Sequence, residues 1–112
     1  DGSGVRDYIH VCDLAEGHVK TLEKLEACGI YTYNLGTGRG VSVLELLRIF
    51  EEVNGVKIPF AVTGRRAGDV AVCYADAGKA ERELGWKAVR SVQDMCRDSY
   101  RWQKNNPNGY KD

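Results

Sequence analysis

The strongest constraint on the fold is an alternation of two periodicities in the first half of the chain. Residues Val5 to Val11 (VRDYIHV) alternate apolar and polar side chains of β-favouring types, as a half-buried strand does. Asp13 follows with Glu16 three positions on, the spacing of a capping box, and Leu14, His18, Leu22 and Leu25 then share one helical face up to Cys28-Gly29. A second strand is expected over Ile30 to Leu35 (IYTYNL), leading into the glycine-rich turn Gly36-Thr37-Gly38-Arg39-Gly40. Ser42 with Glu45 marks another helix start, with Val43, Leu46, Leu47, Phe50 and Val53 on its inner side and a stop at Asn54-Gly55. Strand, helix, strand, helix implies an α/β chain with parallel-sheet architecture.

Beyond residue 55 the pattern changes, which suggests a seam between residues 1–55 and 56–112. Val56 to Val62 (VKIPFAV) is strand-like, but Pro59 lacks a ladder donor and reduces it to an edge or a short piece. Residues 63–69 (TGRRAGD) have no period and read as an exposed loop. A short helix is expected from an Asp76 cap to Leu84-Gly85. A last one starts at Ser91 and runs to about Asn105, with Val92, Met95, Ser99 and Trp102 inward, closed by Pro107 and Gly109.

Charge and cysteine usage exclude several function classes. Sixteen basic residues balance sixteen acidic ones, so any grip on a polyanion must come from local placement of arginines, and a nucleic-acid partner is disfavoured. Cys12, Cys28, Cys73 and Cys96 form no C-x-x-C pair and have no histidine cluster beside them, which argues against zinc and fits reduced thiols in a cytoplasmic setting. No apolar run approaches a membrane span. The chain opens on Asp1-Gly2-Ser3-Gly4 without methionine and runs at once into a strand-like segment, which reads as a cut end.

Four features could carry chemistry. The loop G36-x-G38-x-G40 lies between a strand and a helix, where a dinucleotide pyrophosphate meets helix amides, but a G-x-G-x-x-G would need glycine at position 41, which is Val41. Tight-turn glycines are the simpler reading. The segment Arg65-Arg66-Ala67-Gly68-Asp69 combines guanidinium forks, which match phosphate oxygens, with a carboxylate able to accept from two ribose hydroxyls; a solvated loop with incidental charges stands equally open. Arg6, Tyr8 and His10 share one face of the first strand; Arg6 and Tyr8 could open on a ligand, or Arg6 could pair structurally with Asp7 or with a carboxylate elsewhere. His10 and His18 have no nucleophile or metal partner in view and read as satisfied packing histidines.

The strings GVRDYIHVCDLAEGHV, YNLGTGRGVSVLEL, GRRAGDVAVCYAD, ELGW and WQKNNPNGY together resemble the carboxy-terminal part of the UDP-glucose 4-epimerase family of extended short-chain dehydrogenase/reductases, across nearly the whole chain. The resemblance implies partial Rossmann-type strand-helix units in residues 1–55, associated with a dinucleotide-binding domain, and a small mixed α/β UDP-sugar lobe in residues 56–112. It implies diphosphate contacts from Arg6, with Tyr8 nearby, and from Arg66, ribose contacts from Asp69, uracil packing on Val43, and a hexose neighbour at Cys73. Ala67 stands where many members carry glutamate, a departure that spares the contact residues.

A small residue at position 73 resembles members that also admit N-acetylated sugars, because a 2-acetamido group needs the room a phenol ring would fill. A buried thiol filling core space is the bland alternative. The resemblance also implies NAD, held by an amino-terminal part outside this sequence, a homodimeric parent, and a catalytic Tyr-x-x-x-Lys. Among the six tyrosines only Tyr100 has lysine four residues on, Lys104, at the end of the last helix, and that spacing is read as chance. The chain alone is therefore expected to bind UDP-sugar without turnover. A non-catalytic UDP-binding module and a self-associating structural fragment are the other two classes.

Overall fold

The computed structural model describes residues 3–110. Its elements are β1 (Val5–Arg6), α1 (Val11–Glu23), β2 (Val41–Ser42), α2 (Val43–Asn54), α3 (Gly78–Leu84) and α4 (Val92–Asn105). The architecture is mixed α/β, as expected, but the pairing is not the parallel sheet the alternation suggested. β1 pairs antiparallel with β2, Val5 opposite Ser42 and Arg6 opposite Val41. On its other edge Val5 bridges in parallel to Val72. The chain around β1 is thus the middle of a short three-segment ladder.

Most helix ends obey local rules, but the start of α3 departs from the expected Asp76 cap: Ala77 holds the cap position without a side-chain bond, and Asp76, one residue earlier, accepts from the Gly78 amide (2.9 Å). Ser91 accepts from the Asp94 amide while the Asp94 carboxylate accepts from the Ser91 amide, a complete capping box for α4. The Ser42 hydroxyl takes the Glu45 amide at the start of α2, and Gly55 ends that helix in the left-handed conformation (φ 63°) that glycine adopts without a Cβ penalty. Gly85 does the same for α3.

Several expected boundaries move. The strand expected over residues 5–11 stops at Arg6, and the helix begins at Val11 rather than beyond Asp13. His10, not Asp13, caps α1: its Nδ1 accepts from the Cys12 amide (3.1 Å), which leaves Nε2–H to donate to the Asp98 carboxylate (2.9 Å). α1 ends at Glu23, short of the expected Cys28. Residues 30–35 and 56–62 form no ladder among the described residues. In the latter stretch the Ile58 amide is taken by the Glu51 carboxylate (2.8 Å), a side-chain acceptor in place of a neighbouring strand.

Asp13 has a different task. It is fully buried, and its carboxylate accepts from the amides of Val89 and Arg90 and from the Arg90 guanidinium, while its carbonyl accepts from the Trp86 indole N–H (2.9 Å). Arg90 also binds Glu16, and these two partners, Glu16 foremost, hold its guanidinium more firmly protonated than usual. A buried charge this fully partnered locks the 86–90 segment onto α1. Gly17 completes the seat, since a Cβ there would stand 2.8 Å from Leu35 and 3.1 Å from Trp86.

Among the described residues the buried apolar ones are few: Val41, Ala80, Trp86 and Cys96. α2 and α4, from either side of residue 55, pack on each other. Phe50 meets Tyr100 edge to face at 5.6 Å, and the Asn54 amide group donates to Phe50 O and Cys96 O. The inner side of α4 therefore centres on Cys96 and Tyr100; Ser99 and Trp102, expected inward, are exposed.

Candidate functional site

β1 places the candidate ligands. Its amide and carbonyl on Val5 bond to Ala71 O (2.9 Å) and from Cys73 N (3.0 Å), so the segment carrying Cys73 runs alongside the segment carrying Arg6. On the opposite edge the Val43 amide donates to Gly4 O (3.2 Å), setting the first residue of α2 beside the same strand. Val43 and Cys73 thus stand on opposite edges of β1, which carries Arg6; both are exposed, and the thiol is not a core filler.

The irregular loop comes back to this ladder. Gly68 (φ 82°) turns the chain so that the Asp69 amide reaches Arg66 O (3.4 Å). Arg66 then forks onto the Asp69 carboxylate, Arg65 donates to the Asp69 carbonyl (2.7 Å), and Arg6 reaches Asp69 Oδ1 from β1 at 3.7 Å. Two guanidiniums separated by sixty residues of sequence share one carboxylate, with a third beside them. The local balance is three positive groups against one negative, an excess suited to a dianionic ligand. The Arg66 side chain is 84% exposed while Arg6 and Asp69 are about one-third exposed, so the cluster faces solvent. Tyr8 lies half-buried just past β1 and joins none of these ion pairs among the described residues.

Asp7, which the sequence offered only as an ion-pair partner for Arg6, organises the ladder instead, while Arg6 pairs with Asp69. The Asp7 carboxylate accepts from the Thr37 hydroxyl (2.6 Å) and from the amides of Thr37 (3.0 Å), Gly38 (3.0 Å) and Ala75 (3.2 Å). Partial burial pushes this carboxyl up, but the Thr37 hydroxyl and the three amides outweigh it and hold it below the usual carboxylate value. Gly36 serves this contact: a Cβ there would stand 2.7 Å from Asp7 Oδ2 and 2.6 Å from the Ala75 Cβ. The only local signal was the glycine-rich turn itself, read from the wrong side.

That arrangement decides what the loop can hold. The amides of Thr37 and Gly38 end on Asp7, and the Arg39 amide ends on the Thr37 hydroxyl (3.1 Å). The turn cradles the chain's own carboxylate and does not fit a dinucleotide pyrophosphate. The remaining sequence candidates are structural in position. His10 is buried between its cap and Asp98, His18 bonds to Leu14 O (2.7 Å) on the exposed side of α1, and Lys104 sits over the Tyr100 ring at 5.6 Å.

Comparisons with known proteins agree with the fold. A family model described as GDP-mannose 4,6 dehydratase matches residues 1–99. UDP-glucose 4-epimerase of Bacillus subtilis is 61% identical over 99% of this chain and 33% of its own length. The human UDP-glucose 4-epimerase is 56% identical over 98% of this chain and 32% of its own length. The crystal structure of UDP-glucose 4-epimerase from Bifidobacterium longum in complex with NAD+ and UDP superposes with a TM-score of 0.92 at 55% identity, covering 98% of this chain and 33% of that one. The chain therefore spans about a third of the length of the relatives it matches.

Proposed function

The chain belongs to the family described as GDP-mannose 4,6 dehydratase, and from that membership we propose that it is the carboxy-terminal, UDP-sugar-binding portion of an NAD-dependent UDP-glucose 4-epimerase. The observation that carries the proposal is the convergence of Arg6 and Arg66 on Asp69 beside β1. In this reading the two guanidiniums release part of their hold on Asp69 to a diphosphate, and the freed carboxylate accepts from the ribose hydroxyls. Val43 offers an exposed apolar contact to uracil, Tyr8 borders the diphosphate, and Cys73 leaves room beside the hexose. A small thiol there extends the range from UDP-glucose and UDP-galactose to their N-acetylated counterparts.

NAD is assigned to a part of the parent outside these residues, because the turn amides here are committed to Asp7. Residues 1–55 adjoin that cofactor domain and residues 56–112 form the sugar lobe. The parent is a cytoplasmic homodimer acting in galactose metabolism, and this chain alone has no turnover.

Exposed apolar side chains on and after α1 (Val11, Val19, Leu22, Leu25 and Ile30) favour a second reading, a fragment that self-associates rather than binds nucleotide. Calorimetric titration with UDP separates the two. Binding at millimolar or lower concentration is expected; heat of dilution alone, with light scattering showing association, overturns the proposal.

A further inference from the structure

We propose that Asp7 is a positioning residue for the nucleotide-sugar site, holding the three segments that carry Arg6, Val43 and Cys73 in one register; this rests on the UDP-sugar reading above. The parallel bridge at Val5 runs Val5 N to Ala71 O and Cys73 N to Val5 O. In a regular parallel ladder the next donor along, the Ala75 amide, would go to the Asp7 carbonyl. It goes instead to the Asp7 carboxylate (3.2 Å). The side chain takes over the rung and, with its remaining acceptor capacity, captures Thr37 and Gly38 from the turn that leads into β2.

The consequence is geometric. Arg6 is the neighbour of Asp7, Cys73 precedes the captured Ala75 by two residues, and Val43 follows the captured turn through β2. No other side chain among the described residues accepts from both the 36–38 turn and the segment after Cys73. A carboxylate suits this task because its two oxygens accept from four donors at once, whereas an amide side chain would turn an N–H against them. Close packing of Gly36 on Asp7 and Ala75 leaves little slack for the three segments to shift separately.

The test compares UDP affinity by calorimetry in wild type, Asp7→Asn, Thr37→Val and Thr37→Ser, at 10 °C, where circular dichroism verifies the fold of each. Asp7→Asn is expected to weaken UDP binding about tenfold, the fold-change matching one lost charge-assisted hydrogen bond. Thr37→Val, which removes only the hydroxyl donor, weakens it less, and Thr37→Ser restores it. A merely structural role would lower the melting temperature and leave affinity in the folded variants unchanged, and that result overturns the inference while sparing the UDP site. If Asp7→Asn does not fold, Thr37→Val decides: unchanged affinity overturns the inference. Absence of UDP binding in wild type overturns the underlying site itself.

Discussion

The Arg66 guanidinium grips the Asp69 carboxylate at two points, Nε on Oδ2 at 3.1 Å and Nη2 on Oδ1 at 3.3 Å. Because that side chain is 84% exposed, the fork contributes little to folding, about 0–1 kcal/mol. Arg66→Ala should therefore leave the unfolding midpoint nearly unchanged while weakening UDP binding by about 1.5–3 kcal/mol, the range of a charge-assisted hydrogen bond. Calorimetry on the folded variant checks it, and unchanged affinity removes Arg66 from the site.

Cys73 is exposed beside β1, with its amide committed to Val5 O. In the complete enzyme, Cys73→Tyr should suppress turnover of UDP-N-acetylglucosamine while sparing UDP-glucose, because overpacking by the ring costs about 1–3 kcal/mol only where the acetamido group must fit. Equal loss on both substrates argues against a volume gate.

Gly36→Ala tests the packing of the turn. The added methyl would stand 2.6 Å from the Ala75 Cβ and 2.7 Å from Asp7 Oδ2, so one of the segments must shift. A destabilisation of about 1–3 kcal/mol is expected in urea unfolding. A midpoint matching wild type would mean the turn is slack.

Asp13→Ala removes a buried carboxylate, strands two amides and takes from Arg90 one of its two carboxylate partners, leaving Glu16. Arg90 is 34% exposed and regains some water, which places the expected loss at the low end for a broken buried pair, about 3 kcal/mol. Chemical denaturation reads it directly, and a loss within error of zero would show that Asp13 does not lock the 86–90 segment.

Asp7 titrates below its ordinary value in the folded chain, so the unfolded state takes up the proton first as pH falls. Its stabilising contribution is complete above the unfolded carboxylate value, near 3.8, and is lost as pH drops through the folded one. Asp94 and Glu51 are shifted the same way, the first by the Ser91 amide and the second by the Ile58 amide. Unfolding at neutral pH and at about pH 3 should show a steeper acid loss in wild type than in Asp7→Asn. Parallel profiles would assign the acid sensitivity to the other carboxylates.

How much the sequence disclosed depended on the reach of each interaction. The caps at Ser91, Ser42, Gly55 and Gly85 were legible because a cap and its partner lie within one turn. Asp13 with Glu16 imitated the same pattern, yet its carboxylate is spent on residues 76 and 77 positions away, and His10 took the cap. Arg6, Arg66 and Asp69 could be nominated from residue type, but only a folded backbone could say that they meet. Asp7 stood out only as a neighbour for Arg6, and its real donors were not legible, since they stand 30, 31 and 68 positions away. Strand ends failed for the same cause: periodicity marks a chain ready to pair and says nothing about which neighbour supplies the rungs.

Residues 60–68 are exposed, and they lie between two halves already joined through α2 on α4, Asp13 on Arg90 and the Val5 ladder. Trypsin has its recognition side chains at Arg65 and Arg66, in the middle of that stretch. A cut there would nick the protein without parting it: two bands on a denaturing gel, one peak on a sizing column.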